Sequence, residues 1–398
     1  MRQRFDLFGS PLAPASADEP SKAARFGLTG RAPPAALRLS LGLVCIVALF
    51  FVRGPGRVAM LRRRAALPPA VHVWHHFTGS FTAGTGGFDI CLPDPQRDHN
   101  TRVILSNWYE DALGDVFRVV LSGRCANGMG RVIDVGSNLG IFSATSAAFG
   151  CDVLAIEAQS RLVPYIAATA EANGWAVGAA TPSIGGGRLE VRNIGVYDAP
   201  GELKIAYYTP LSNASGWLSM AMDAESLAAC PSTPGCAVEA VQVVEASTLV
   251  TGDTVLVKVD VDGPEARIVK SLLPALAAHA VDNVMVEACP QFWRDIPRDE
   301  GLRILRTLPA ELGYDVVLLD QIAFTEYKPG FLERCALIEG VFRPRAYHMP
   351  SAMFDELFAD GTTTVNCKNV LFTRELGALV ARQPGGMVHP PQVLSVAE

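Results

Sequence analysis

Nothing limits how this chain can fold more than the stretch Val132-Ile-Asp-Val-Gly-Ser-Asn-Leu-Gly140 and the shorter Val153-Leu-Ala-Ile-Glu157 that follows it. Each begins as a continuous apolar run too short for a helix, the pattern of a strand buried on both faces. Between them Leu139–Ala148 has helical spacing. Strand, helix and strand over so short a span make a βαβ unit with parallel strands. The alternation then continues. Candidate strands are Arg131–Val135, Val153–Ile156, Leu189–Asn193, Leu203–Tyr207, Val241–Val244, Thr254–Val259, Asn283–Glu287, Val316–Leu319 and Val370–Thr373. Further candidate helices are Ser160–Asn173, Pro264–Leu276 and Asp299–Leu312, and ahead of them Trp108, Leu113, Val116, Phe117, Val120 and Leu121 share one helical face. The expectation is an α/β class chain with a doubly wound, mostly parallel sheet. Its 398 residues, 49% of them apolar, suffice for one large domain with extensions or two modest ones, and no internal repeat is visible.

The first strand ends in Asp134 and turns through Gly136, Ser137, Asn138 and Gly140 into a helix. Open α/β sheets bind nucleotides at such turns, where a glycine permits close approach and the helix start offers unpaired N–H groups. The glycine spacing is GxxxG after Asp-Val, not the GxGxxG that cradles a pyrophosphate. It suits the amino-acid end of S-adenosylmethionine, with Asp134 receiving the ammonium directly or through water. Glu157, at the tip of the next strand, is placed to accept two hydrogen bonds from ribose hydroxyls. In Lys258-Val-Asp-Val-Asp-Gly-Pro-Glu265 a lysine sits near the end of an apolar strand, where burial demands a partner among Asp260, Asp262 and Glu265. One reading is an ion-pair cluster pinning strand to helix. The other puts Asp260 as proton acceptor and Lys258 as stabiliser of a developing alkoxide.

The stretches VIDVGSNLG, VLAIEA, NIGVYDAPGELKI and VLVKVDVDGPEARIVKSL resemble, in order, the motifs of the FkbM-type methyltransferases. The family pattern K-x-D-x-E-G-x-E is matched with Asp262 in place of glutamate and Pro264 in place of a small residue; Ala158 and Gln159 stand where a proline and a polar residue are usual. The resemblance spans about Thr101 to Thr373. It implies a seven-stranded, Rossmann-like methyltransferase sheet using S-adenosylmethionine, and methyl transfer to a hydroxyl of a sugar, glycan or other small molecule. It implies cofactor contacts from Asp134, Gly136, Ser137, Asn138, Gly140 and Glu157, with Asn193 at the place of the adenine contact. The alternative is a membrane-tethered module that keeps the fold without catalysis. A nicotinamide-dependent oxidoreductase is disfavoured, lacking the third phosphate-loop glycine.

The expected organisation is a disordered tail over 1–36, a membrane anchor or targeting segment over 37–53, a linker and lead-in over 54–100, the methyltransferase domain over 101–375 and a tail over 376–398. Leu39 to Val52 is uncharged but only 14 residues long, about 21 Å as a helix, so a single span must start near Ala35 with Arg38 snorkelling. A signal-anchor, a cleaved targeting segment and a core helix all fit it. The arginines beyond it (Arg53, Arg57, Arg62, Arg63, Arg64) outnumber the nearest ones before it (Arg25, Arg31, Arg38) and favour a cytosolic domain, whereas the sequon Asn213-Ala214-Ser215 favours the secretory pathway or Golgi lumen. The side of the membrane is left open. The net charge of -6 and the lack of a basic patch argue against nucleic acid. No metal is expected: the nine cysteines contain no CxxC, His72, His75 and His76 lack further ligands at metal spacing, and the Asp260/Asp262 pair is too short a signal. Glu287 is either an acceptor-side group or structural. Cys230 and Cys236 read as ordinary loop thiols, or as a disulfide if their loop lies outside the cytosol.

Overall fold

The computed structural model describes residues 72–388 apart from 79–84, 97, 107–110, 126–129, 176–185, 209–226, 229, 233–235, 262, 294–295, 320–326, 328–329, 343–344, 359–366 and 384–385. These all belong to the compact unit Pro68–Glu398. The tail and the apolar segment at 37–53 lie outside the described residues, as do Asn213 and Asp262. Among the described residues no helix is long and apolar enough to cross a membrane.

The strands are β1 (His72–Phe77), β2 (Phe88–Pro93), β3 (Arg131–Val135), β4 (Asp152–Ile156), β5 (Arg188–Arg192), β6 (Gly195–Tyr197), β7 (Gly201–Tyr208), β8 (Cys236–Glu245), β9 (Thr254–Val259), β10 (Val281–Ala288), β11 (Asp315–Leu319), β12 (Ala336–Glu339), β13 (Ala346–Met349), β14 (Lys368–Thr373) and β15 (Met387–Val388). The helices are α1 (His99–Leu105), α2 (Asp111–Leu121), α3 (Ile141–Ala148), α4 (Val163–Ala172), α5 (Glu265–Ala277), α6 (Arg298–Glu311), α7 (Phe354–Leu357) and α8 (Leu376–Arg382).

The central sheet has the order β15-β12-β13-β11-β14-β10-β9-β3-β4-β5. Strands β5, β4, β3, β9 and β10 pair in parallel; β14 runs against β10 and β11. From β5 to β11 this is a seven-stranded sheet with only β14 reversed. Strands β13, β12 and β15 then extend it by antiparallel pairing to ten, more than the seven expected. The helices α3 and α5 connect parallel neighbours, and alternate strand residues face two separate cores. Val132, Val153 and Leu256 pack with Phe117 of α2, Phe142 of α3 and Ile166 of α4. Ile133, Leu154 and Val257 pack with Ile268 of α5 and Ile304 of α6. A sheet covered on both faces explains why its strands read as unbroken apolar runs.

Two expected strands leave this sheet. β7 and β8 form, with β6, a separate three-stranded sheet in the order β6-β8-β7. The reason is visible in β8, where Val241 and Val243 are buried while Gln242 is exposed, the alternation of a strand wet on one face. β9, by contrast, is buried at every residue. Within the expected lead-in, β1 and β2 pair antiparallel, and β2 is tied to α4 by Cys91 N–H donating to Thr169 Oγ1 at 3.0 Å. Past residue 375, α8 and β15 add to the same unit, with β15 pairing to β12.

Candidate active site at the carboxyl edge of the sheet

β3, β4 and β9 are neighbours, so their carboxyl ends bring the three predicted motifs to one edge. The turn after β3 is hooked to β4: the N–H groups of Gly136 and Ser137 both donate to Ile156 O at 3.0 Å. Gly136 has φ 80°, and a Cβ there would meet Asp260 O at 1.8 Å. Its glycine is demanded by the packing of two strand ends as well as by the dihedral. Asn138 takes the left-handed conformation at φ 51°, which asparagine tolerates better than most residues. Gly140, also left-handed at φ 80°, faces Ile166 and serves helix packing.

Glu157 is 5% exposed, and its carboxylate accepts from the backbone N–H groups of Asn138 at 2.8 Å and Gln159 at 2.9 Å. Burial is the largest influence and pushes its pKa up to about 7, against the pull of those amides and of Lys258. Lys258, 2% exposed, lies 3.0 Å from Asp260 Oδ2, 3.4 Å from Asp134 Oδ1 and 3.3 Å from Gly136 O. Among the described carboxylates, Asp260 and Asp134 thus pair with this buried ammonium. Glu265, the third carboxylate considered, instead accepts from Gly263 N–H and Trp293 Nε1, each at 2.8 Å.

A cleft of about 850 Å³, part of it open solvent, is bordered by Gly136, Ser137, Asn138, Glu157, Lys258 and Asp260. Its opposite wall is apolar and comes from the small sheet: Val196, Leu203, Ile205, Val241 and Val243. Sequence reading missed this wall, and also Ser143, whose hydroxyl donates to Asp134 Oδ2 at 2.5 Å. The only available signal was a hydroxyl one turn into an apolar helix. Asp134, Gly140 and Asn193 do not border the cleft. Asp134 is wholly buried behind Lys258. Asn193 Nδ2 donates to the carbonyls of Glu157 and Ala158 at 2.9 and 3.0 Å, fixing the loop that carries Glu157. Ser137 Oγ and Asn138 Oδ1 are buried with no hydrogen-bond partner.

Glu287 is half-buried beside Cys289 and Cys367, the single grouping of metal-ligating side chains among the described residues. Those two sulfurs are bonded to each other. Cys125–Cys151 and Cys230–Cys236 are also disulfides, so of the two readings left open for the latter pair the structure has the disulfide and not the loop thiols. His76 Nδ1 pairs with Asp89 at 3.0 Å on β1 and β2.

No family model matches the chain, and no curated protein matches it. Among solved structures it is similar to methyltransferase FkbM from Methylobacillus flagellatus KT, at 11% identity and a TM-score of 0.32 over 61% of this chain and 43% of that one. It is also similar to cofactor-bound Rv0187 from MTB, at 12% identity and a TM-score of 0.29 over 87% of this chain and 99% of that one. The chain therefore spans under half the length of the first of these proteins. TM-scores of this size leave function to be read from the site itself.

Proposed function

We propose that this chain is an S-adenosylmethionine-dependent methyltransferase acting on a hydroxyl oxygen of a sugar, glycan or other small molecule. One observation carries the reading. Glu157 and the Asp260–Lys258 pair border a single cleft together with Gly136, Ser137 and Asn138 of the turn after β3. A carboxylate at a strand tip beside such a turn is where an open α/β sheet presents acceptors to a nucleoside ligand. The motifs' likeness to FkbM-type sequences supplies the ligand's identity.

In this reading Glu157 accepts the ribose hydroxyls, and Ser137, Asn138 and the backbone after β3 hold the amino-acid end. When bound, S-adenosylmethionine supplies an activated methyl group, so alignment accounts for much of the rate. Asp260, 23% exposed at the cleft, takes the acceptor's proton. Lys258 already meets Asp134, Asp260 and Gly136 O, so its part is to hold Asp260 in place rather than to reach an alkoxide.

Calorimetry on the full chain tests the cofactor. The expected dissociation constant is micromolar, roughly -8 kcal/mol, weakened by about 1.5–3 kcal/mol in Glu157→Ala through loss of charge-assisted hydrogen bonds. A folded protein that does not bind overturns the proposal. Binding without turnover on any hydroxylated acceptor would favour the non-catalytic module instead.

We also infer that the domain matures in an oxidising compartment, because six cysteines converge in three disulfides. A tether through residues 37–53 would then leave it on the lumenal side, against the arginine count. Mass spectrometry of protein alkylated before reduction should find six of the nine cysteines protected; modification of all nine would place the domain in a reducing compartment.

A further inference from the structure

Asp260 has a fixed position only if the turn after β9 does, and that turn is held from two sides. On one side Asp260 N–H donates to Val135 O at 3.1 Å, and its own carbonyl fills the space that Gly136 leaves. On the other side stands Glu265, the first residue of α5 and 0% exposed. One of its oxygens accepts from Gly263 N–H and the other from the indole N–H of Trp293. A carboxylate at a helix start is ordinarily exposed and bonded within its own first turn. This one is buried and, besides its own backbone N–H, reaches back to Gly263 in the Asp260 turn. Burial raises its pKa to about 7.

Trp293 is fixed in turn. It is 6% exposed, and its ring occupies the room left by Gly301 of α6, where a Cβ would lie 2.4 Å from the indole carbons. The backbone just before it is tied to the end of β10, with Phe292 N–H donating to Cys289 O at 2.8 Å, and Cys289 is bonded to Cys367. Gly263 lies close to the same segment, at φ 147° with a Cβ position 3.4 Å from Phe292 O. A rigid line thus runs from the end of β10 through Trp293 and Glu265 to Gly263.

We propose that Glu265, gripped by Trp293, is a positioning residue that sets where Asp260 stands in the cleft; this rests on the reading of Asp260 as the proton acceptor. Chemistry gives a sharp test. In Glu265→Gln one amide N–H must oppose either Gly263 N–H or the indole N–H, a donor against a donor. Trp293→Phe keeps most of the ring and removes that donor. The double variant therefore lets the glutamine carbonyl serve Gly263, with its NH2 over an apolar ring edge.

Two measurements on the full chain decide it. Hydrogen exchange followed by mass spectrometry over residues 260–264 needs no ligand. Glu265→Gln is expected to speed local exchange about tenfold or more, Trp293→Phe about threefold, and the double variant to recover most of the loss. Because the Asp260 carbonyl packs against Gly136 in the turn that holds the cofactor, calorimetry with S-adenosylmethionine should follow the same order, with affinity about threefold or more weaker in Glu265→Gln and regained in the double variant. Exchange that rises evenly across the domain, or losses that simply add in the double variant, would make Glu265 a packing residue and overturn the proposal. So would a Glu265→Gln protein identical to wild type. If Glu265→Gln does not fold, Trp293→Phe alone must still loosen 260–264, and unchanged exchange there refutes the inference. A wild-type protein that fails to bind S-adenosylmethionine refutes the methyltransferase reading instead, while exchange still reports whether Glu265 holds the turn.

Discussion

At Gly136 a left-handed backbone coincides with a space already taken by the Asp260 carbonyl, 1.8 Å from where a Cβ would stand. Alanine there must displace one strand end from the other. Gly136→Ala is expected to cost about 3 kcal/mol or more in denaturant unfolding. At Gly140 the same substitution meets only the Ile166 side chain, at 3.0 Å, and should cost about 1 kcal/mol. Comparable midpoints for the two would refute the close-packing account. Lys258→Met removes the cation facing Asp134, whose side chain is 0% exposed, and should destabilise by about 3–5 kcal/mol; a loss below about 1 kcal/mol would mean that the pair is screened by solvent as a surface ion pair is. Glu157, Lys258 and Asp260 were legible because a strand tip is where an α/β sheet presents groups to a ligand. Asp134 and Asn193 share that position in sequence, yet one is sealed behind Lys258 and the other spends its amide on two backbone carbonyls. Spacing along the chain does not distinguish these cases.

Among the elements, those of the doubly wound half were read to within a few residues, since burial on both faces leaves continuous apolar runs between amphipathic helices. β12, β13, β15 and α8 escaped because short edge strands carry little pattern, and their pairing depends on what lies beside them. The Cys125–Cys151 disulfide escaped for a related reason: 26 residues separate the two, and only the parallel pairing of β3 with β4 brings the end of α2 to the start of β4. Both sulfurs are buried, so the Cys125→Ala/Cys151→Ala protein should lose about 3.5 kcal/mol by the loop-closure relation. Unchanged thermal stability after that replacement would show that the link is not formed in the folded protein.

Across the whole molecule, two carboxyl groups dominate the expected response to pH. Glu157 and Glu265 both rise from 4.5 to about 7, each chiefly through burial. A folded pKa above the unfolded one means that the folded state binds the proton more tightly. The stabilisation is complete below the unfolded value and is lost as pH rises through about 7, to a limit of roughly 3 kcal/mol per group. Stability measured by urea unfolding should therefore fall between pH 5 and about 7.5, less steeply in Glu157→Gln. Cofactor affinity should move the other way. Ionised Glu157 is the stronger acceptor for hydroxyls, so affinity is expected to rise from about pH 6 to 8. An affinity flat over that range would remove Glu157 from the ribose contact.

The sequence by itself determined the α/β class, the strand-turn-helix units and the three carboxyl-edge motifs, because periodicity and glycine placement are local consequences of burial and backbone sterics. Only the tertiary structure decided the rest. It set Asp134 and Asp260, rather than Glu265, as the partners of Lys258. It folded β6, β7 and β8 into an apolar wall across the cleft. It brought Trp293 to Glu265 from 28 positions away. Each of these depends on which buried polar group finds its partner at lowest desolvation cost, a choice made among groups distant in the chain and close only once the sheet has formed.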